Sequence, residues 1–266
     1  MADLQILNLL YFARAVVYDA GEYLLRRFKR LKSRPQASIS LAAAQSLAVR
    51  VVESTKTRLF EQYPYLEVCT PPYSVVPSEG LGWVINPVEG VINFTIGLPG
   101  WCFAFSLIDF ARQSVELAVA YAPALRIMAW AFKNGGFWVN GKRIKAPTAA
   151  RKLAHFIHSV SLASEIGATS KYVKFFKRQE GKKATSAMFE SPTLQLIMLA
   201  LGRVDTAFIP QLQTEQAAAG VLFVTQAGGA VLDEYGSVWV YEPGEHKDVW
   251  AGFNTQLLDD LRKVYN

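Results

Sequence analysis

Trp83-Val84-Ile85-Asn86-Pro87-Val88-Glu89-Gly90-Val91-Ile92-Asn93-Phe94 is the stretch whose reading decides the fold of this chain. It opens as a strand, because Trp83 to Ile85 is a short aromatic and β-branched run. Two polar side chains, Asn86 and Glu89, then sit among turn-forming residues: Pro87 and Gly90, continued by Gly97 and Pro99. Upstream, Pro64 to Gly82 contains four prolines and reads as a loop.

Further towards the N-terminus the pattern is helical. From Leu4 to Leu31 the apolar residues Leu7, Leu10, Val17, Leu24, Phe28 and Leu31 recur at helical spacing. Leu41 to Phe60 repeats the pattern with Leu41, Ala44, Leu47, Val51, Thr55 and Leu59. Downstream, Phe103 to Ile108, Val115 to Tyr121, Ile127 to Phe132 and Phe137 to Val139 read as strands, with turns at Lys133 to Gly136 and Asn140-Gly141. The C-terminal half predicts strands at His155 to Leu162, Thr206 to Ile209, Val231-Leu232 and Val238 to Val240. Helices are predicted at Thr169 to Arg178, Thr193 to Leu201, Glu215 to Ala227 and Asn254 to Tyr265. Two helices, a strand-rich block and then alternating elements predict an α+β protein, a layered α-β-α-β sandwich. The expectation is one unit over 1–266, with an N-terminal α+β part (about 1–146) and a C-terminal α/β part (147–266).

Composition narrows the class. The 266 residues are 51% hydrophobic and 19% charged, enough for a packed core and unlike a disordered or repeat chain. Two cysteines, Cys69 and Cys102, make no disulfide framework and read as small buried hydrophobes. Asp3 stands where a secretory leader is basic, and the apolar tracts at Trp101 to Phe110 and Leu117 to Phe132 are interrupted. A soluble cytoplasmic protein without a membrane span is the expectation. His155, His158 and His246 form no metal pattern, and no nucleophile elbow or Walker loop is present. The net charge is +6, and the end of the first helical pattern is strongly basic, with Arg26, Arg27, Lys29, Arg30, Lys32 and Arg34. That run suits a helix C-terminus, and it also suits a polyanion contact.

Three blocks, in order, resemble the inositol monophosphatase family over Leu7 to Asn266. Trp83 to Phe94 with Gly97-Leu98-Pro99 is similar to that family's W-I-x-D-P-I-D-G-T-x-N-F. Gly135 to Ile144 is similar to G-G-G-A-x-x-N-G-x-x-I, and Glu215 to Gly229 to W-D-x-A-A-G-x-x-x-V-x-E-A-G-G. The resemblance implies a metal-dependent phosphatase fold, a homodimer, and two or three Mg²⁺ ions held by carboxylates to activate water. Hard cations need such oxygen ligands. It also implies that the backbone after the second aspartate holds phosphate. Some bacterial members of the family act on transcription and RNA-related machinery.

Against that pattern the chain departs at the chemical positions. Asn86 stands for the metal-bridging aspartate, Val88 for the isoleucine whose carbonyl binds metal, and Glu89 for the second aspartate. Gly90 is kept for phosphate, but Val91 replaces the threonine hydroxyl. G-E-E-S aligns with Glu67-Val68-Cys69-Thr70, placing Val68 at the metal glutamate with Glu67 beside it. Ser38 to Ala43, where the family has D-x-V-T-x-x-D, holds no acid. Thr214-Glu215 replaces W-D, Gln226 replaces a glutamate, and Glu190-Ser191-Pro192 replaces a substrate-contacting G-S-A. Losing two or three charges from a divalent site costs several kcal/mol, and losing a water-positioning hydroxyl costs about 10²-fold in rate. The expectation is therefore an inactive or strongly impaired phosphatase-like protein with no cofactor, kept for binding or regulation. Glu89 and Glu215 are expected to be acidic remnants paired with Lys or Arg. A protein or nucleic-acid partner is expected at 26–34, through Arg26, Arg27, Lys29 and Arg30. The alternative is a Mg²⁺-dependent phosphomonoesterase with altered ligands, acting on an inositol phosphate or a related sugar phosphate.

Overall fold

The computed structural model describes residues 3–32, 39–73, 75–145, 156–160, 184–253, 258–259 and 262. Helix α1 (Asp3–Lys32) and helix α2 (Leu41–Gln62) come first. The predicted stripe of α1 is buried at Leu10, Val17, Leu24 and Phe28. Helix α2 starts at Ser40, whose side chain accepts a hydrogen bond from the Ala43 N–H and so satisfies an otherwise orphaned donor. Leu41, predicted on the buried face, lies exposed at this first turn.

A seven-stranded sheet follows: β1 (Glu67–Cys69), β2 (Leu81–Glu89), β3 (Cys102–Asp109), β4 (Ser114–Ala122), β5 (Ile127–Phe132), β6 (Gly136–Val139) and β7 (Lys142–Ile144), in that spatial order. The β1–β2 pair is parallel and the rest is an antiparallel meander. Period-2 alternation sorts its side chains by size. Trp83, Ile85, Phe103, Phe105, Leu117, Val119 and Trp130 face α1 and α2. The small residues Ala104, Ala118, Ala120, Ala129 and Ala131 face the other way.

That small-residue face receives two helices, α4 (Pro192–Ala200) and α5 (Thr214–Ala227); the short helix α3 (Val91–Thr95) caps the end of β2. Helix α5 is buried on nearly every side, and its Ala217-Ala218-Ala219-Gly220 run lets it approach both neighbours. A Cβ on Gly220 would lie 2.4 Å from Leu196 Cδ1 of α4. Beyond these helices is a mixed five-stranded sheet. It comprises β8 (Phe156–Val160), β9 (Ala184–Met188), β10 (Thr206–Gln213), β11 (Ala230–Leu232) and β12 (His246–Gly252), in the order β11-β12-β10-β8-β9. The layers are thus α-β-α-β, as predicted, and one hydrophobic cluster runs from the seven-stranded sheet through α4 and α5 to the five-stranded sheet.

Several elements differ from the sequence expectation. Val238 to Val240 is not a strand: only an isolated bridge joins Val238 to Leu232, and Val238 and Val240 are exposed. Strands β1, β7, β9 and β12 and helix α3 were not predicted. The helix expected at Thr169 to Arg178 lies outside the described residues, as does His155. Among the described residues no helix is long and apolar enough to cross a membrane.

Candidate functional site

The site is built on an irregularity in β2. Asn86 pairs with Ala104 and Glu89 with Cys102, so three steps on β2 oppose two on β3. In a regular strand, residues three apart point to opposite faces; the extra residue turns both side chains to the α4/α5 side. Asn86 Nδ2 accordingly donates to Glu89 Oε1 at 3.1 Å. The chain leaves through Gly90 at φ +76°, where a Cβ would lie 2.3 Å from the Gly100 carbonyl oxygen. Asn93 Nδ2 holds that same carbonyl at 2.8 Å, and Phe94 packs on Trp101 and Phe28. The turn residues of the loop therefore serve its shape. Val88 and Val91 pack into the cluster beneath α1 and α2, so their side chains leave the site.

Glu89 is buried and its two carboxylate oxygens accept from four donors. Ser191 Oγ donates to Oε2 at 3.0 Å, the Thr193 N–H to Oε2 at 2.8 Å, and Thr193 Oγ1 to Oε1 at 2.7 Å, in addition to Asn86. Ser191 and Thr193 open α4, so the carboxylate caps the positive end of that helix. Burial pushes the Glu89 carboxyl above its ordinary range, and the Thr193, Ser191 and Asn86 donors pull it back. Ser191 and Glu89 have the spacing of a nucleophile and its base. Ser191, however, is fully buried, and its hydroxyl also accepts from the Leu194 N–H. No substrate reaches it.

Glu215, in the first turn of α5, is also fully buried. Tyr241 Oη donates to its Oε1 at 3.0 Å and the Gly244 N–H at 2.8 Å. Asn86 Nδ2 lies 3.4 Å from the carbonyl oxygens of Glu215 and Gln216, so the amide meets the backbone of α5 rather than the carboxylate. Tyr73 closes the remaining space: its hydroxyl lies 2.8 Å from the Ile85 carbonyl oxygen and touches Asn86 Oδ1. Burial, then the charges of Glu89 and Glu215, push the Tyr73 phenol well up; burial and Glu215 push Tyr241 up. Both phenols therefore stay protonated and act as donors.

The structure brings together Asn86, Glu89 and Glu215 of the predicted set. Their partners are hydroxyls and amides, not the Lys or Arg expected for Glu89 and Glu215. Val68 is corrected as well, because it packs toward α1 and α2 while Cys69 lies on the site's face of the sheet. The Cys69 thiol is pushed up to about 12 by burial and by the charge of Glu215. Sequence reasoning missed Tyr73, Thr193 and Tyr241. The Ser191-Pro192 pair was a legible signal, being a cap residue followed by proline at the first helical position. Gln226 takes a structural part, accepting from the Gly136 N–H at 3.3 Å and tying α5 to β6.

The basic run at the end of α1 is splayed around the helix. Arg26 and Arg27 lie 6.0 and 5.6 Å from the Tyr23 ring, while Lys29 lines a different groove. Arg26, Arg27, Lys29 and Arg30 are all exposed; Arg34 is outside the described residues.

Layers of α-β-α-β with a carboxylate-bearing loop between sheet and inner helices define the fold of the sugar-phosphate phosphatases. The inositol monophosphatase family model matches residues 7–259, and the chain belongs to that family. It is 32% identical over 188 residues to a fructose-1,6-bisphosphatase/inositol-1-monophosphatase of Thermotoga maritima, covering 69% of this chain and 67% of the relative. It is 31% identical over 197 residues to the Nus factor SuhB of Escherichia coli K12, covering 70% and 72%. Among solved structures, a Thermotoga maritima inositol monophosphatase superposes with a TM-score of 0.80 at 22% identity, over 97% of both chains. The extragenic suppressor protein SuhB of Bartonella henselae gives 0.79 at 19% identity, over 97% and 98%.

Proposed function

We propose that this chain is a non-catalytic member of the inositol monophosphatase family, retained as a binding or regulatory protein. The observation that carries the reading is the hydrogen-bond polarity at Glu89. A divalent cation needs converging lone pairs. Here both Glu89 oxygens already accept from four protein donors, and Asn86 directs N–H groups into the same space. Tyr241 and Gly244 occupy Glu215 in the same way. This donor set does not fit Mg²⁺. Among the described residues no cluster of three or more His, Cys, Asp or Glu is placed to hold a metal.

Support for a binding role comes from the similarity to the Nus factor SuhB of Escherichia coli K12. The reading extends to a cytoplasmic homodimer whose protomer is one unit of two parts, about 1–146 and 147–266, with a protein or nucleic-acid partner at the basic 26–34 segment. The test is phosphate release from an inositol monophosphate and from a generic aryl phosphate, with Mg²⁺ or Mn²⁺ supplied. The expected result is release at the rate of the protein-free control. Turnover that requires the metal and is abolished by Glu89→Gln would overturn the proposal and establish the altered-ligand phosphomonoesterase.

A further inference from the structure

A groove of about 860 Å³ runs along the outer side of α1, on the face of the seven-stranded sheet opposite Glu89. Its walls are α1 and the β4–β5 turn, a short 3₁₀ segment at Pro123–Leu125 followed by Arg126. Tyr11, Arg14, Tyr18, Lys29, Tyr121 and Arg126 line it. From Tyr11 to Lys29 the α1 residues follow one helical stripe that spans about 27 Å at 1.5 Å per residue.

We infer that this groove binds single-stranded polynucleotide, with bases stacking on Tyr11 and Tyr18 and phosphates meeting Arg14, Lys29 and Arg126. The inference names a partner class for the binding role proposed above and rests on that reading. Its first support is aromatic exposure. Tyr11 is 64% exposed and Tyr18 49%, and Tyr18 is held in place by stacking on Tyr121 at 5.4 Å between centroids. Exposed rings beside cations are the usual platform for unpaired bases.

The second support is charge. The groove itself is lined by three cations, Arg14, Lys29 and Arg126, against two acids, Asp19 and Glu22. Of the two acids, Asp19 is offset by Arg58 at 2.8 Å, while Glu22 accepts from the neutral Tyr121 Oη at 2.9 Å and keeps its charge, which leaves the groove net cationic. Arg14 is fixed with its guanidinium 3.9 Å over the Trp130 ring. Neither Lys29 nor Arg126 takes part in an ion pair among the described residues. Arg126 holds its place through backbone hydrogen bonds, its N–H to Pro123 and its carbonyl from Asn140 Nδ2. A duplex presents its bases inward and leaves the tyrosines nothing to stack on, so the single strand fits better.

The test is fluorescence anisotropy of labelled oligouridylate and oligodeoxythymidylate, about a dozen nucleotides long, against the full chain over a salt series. Saturable binding is expected, with log K falling against log salt at a slope of about −2, from three phosphate contacts at roughly −0.7 each. Lys29→Ala or Arg126→Gln should each reduce that slope by about 0.7. Tyr11→Ala and Tyr18→Ala should weaken binding by about tenfold each with the slope unchanged. Arg203→Ala, on the exposed loop after α4, should change nothing, and circular dichroism confirms that each variant is folded. Tighter binding of oligouridylate than of oligodeoxythymidylate makes the natural ligand RNA, and the reverse makes it single-stranded DNA. Absence of binding, equal affinity for a duplex, indifference to both tyrosines, or displacement by polyglutamate as effective as by oligonucleotide would overturn the inference. Phosphate release is read separately, so failure here leaves the non-catalytic reading standing, and turnover there leaves the groove standing.

Discussion

At the scale of single residues, Asn86 differs from a carboxylate by one amide group, and that group reverses the direction of the hydrogen bond to Glu89. An aspartate there would set two buried anions side by side and require a cation between them. Asparagine supplies the proton directly, at 3.1 Å from Glu89 Oε1. Glu89 is thereby tied to β2 through Asn86 and to α4 through Ser191 and Thr193. Glu89→Gln places an NH₂ group against donors at Ser191 and Thr193. The expected loss is about 1–3 kcal/mol of unfolding free energy, the cost of buried polar groups left without partners, measurable by denaturant unfolding. The pH dependence has a definite sign. Burial raises the folded-state pKa above the ordinary 4.5, so the folded protein holds this proton more tightly than the unfolded chain. The contribution is fully present below the unfolded value and is lost as pH rises through the folded one. Wild type should lose stability over that rise, and Glu89→Gln should not; an unchanged slope in the variant would reject the assignment. The identities of Asn86 and Glu89 were legible in the sequence. Their partners were not, because Tyr73, Ser191, Thr193 and Tyr241 are brought in by contacts between residues far apart in the chain.

Elements were legible where their own pattern sufficed. Helices α1 and α2 and strands β2 to β6 carry apolar periodicity matching the face they bury. Strand β12 begins His246-Lys247-Asp248, a polar start that hides it. Strand β10 continues past Pro210 because Gln211 at φ +51° makes a bulge, with its N–H and Nε2 both held by Asp248 Oδ1 at 3.0 Å. Val238 to Val240 shows the reverse error. The Asp233 carboxylate holds the Tyr235 and Ser237 N–H groups in a turn, so the valines that follow meet solvent instead of a sheet. The α4–α5 contact is the element-level feature most open to test. Gly220→Ala gains about 1 kcal/mol of helix propensity. Its Cβ, however, would stand 2.4 Å from Leu196 Cδ1 and 2.9 Å from Leu196 Cβ, and overpacking of this kind costs about 1–3 kcal/mol. A net loss is expected. Leu196→Ala removes the nearer Cδ1 at its own cavity cost of about 2–5 kcal/mol, so in that background Gly220→Ala should cost less than it does in the wild type; an equal cost in the two backgrounds would show that the helices do not meet there.

For the whole molecule, the carboxylates lie where the seven-stranded sheet meets the inner helices, and the same helices carry the five-stranded sheet. A metal cluster at that junction would link the halves of the fold to ion concentration. A ligand that binds only the folded state at a hundred times its dissociation constant adds about 2.7 kcal/mol, which for a chain of this size raises the melting temperature by roughly 5–10 °C. The hydrogen bonds of Glu89 and Glu215 fill that junction with protons of the protein itself. The melting temperature should accordingly be the same within about 1 °C in millimolar Mg²⁺ and in chelator. Calorimetry across a Mg²⁺ series is the direct check, and a rise of several degrees that saturates with the ion would mean that the network opens to admit it. Such a rise should vanish in Glu215→Gln if the ion enters between the sheets, and survive that substitution if it binds an exposed carboxylate elsewhere.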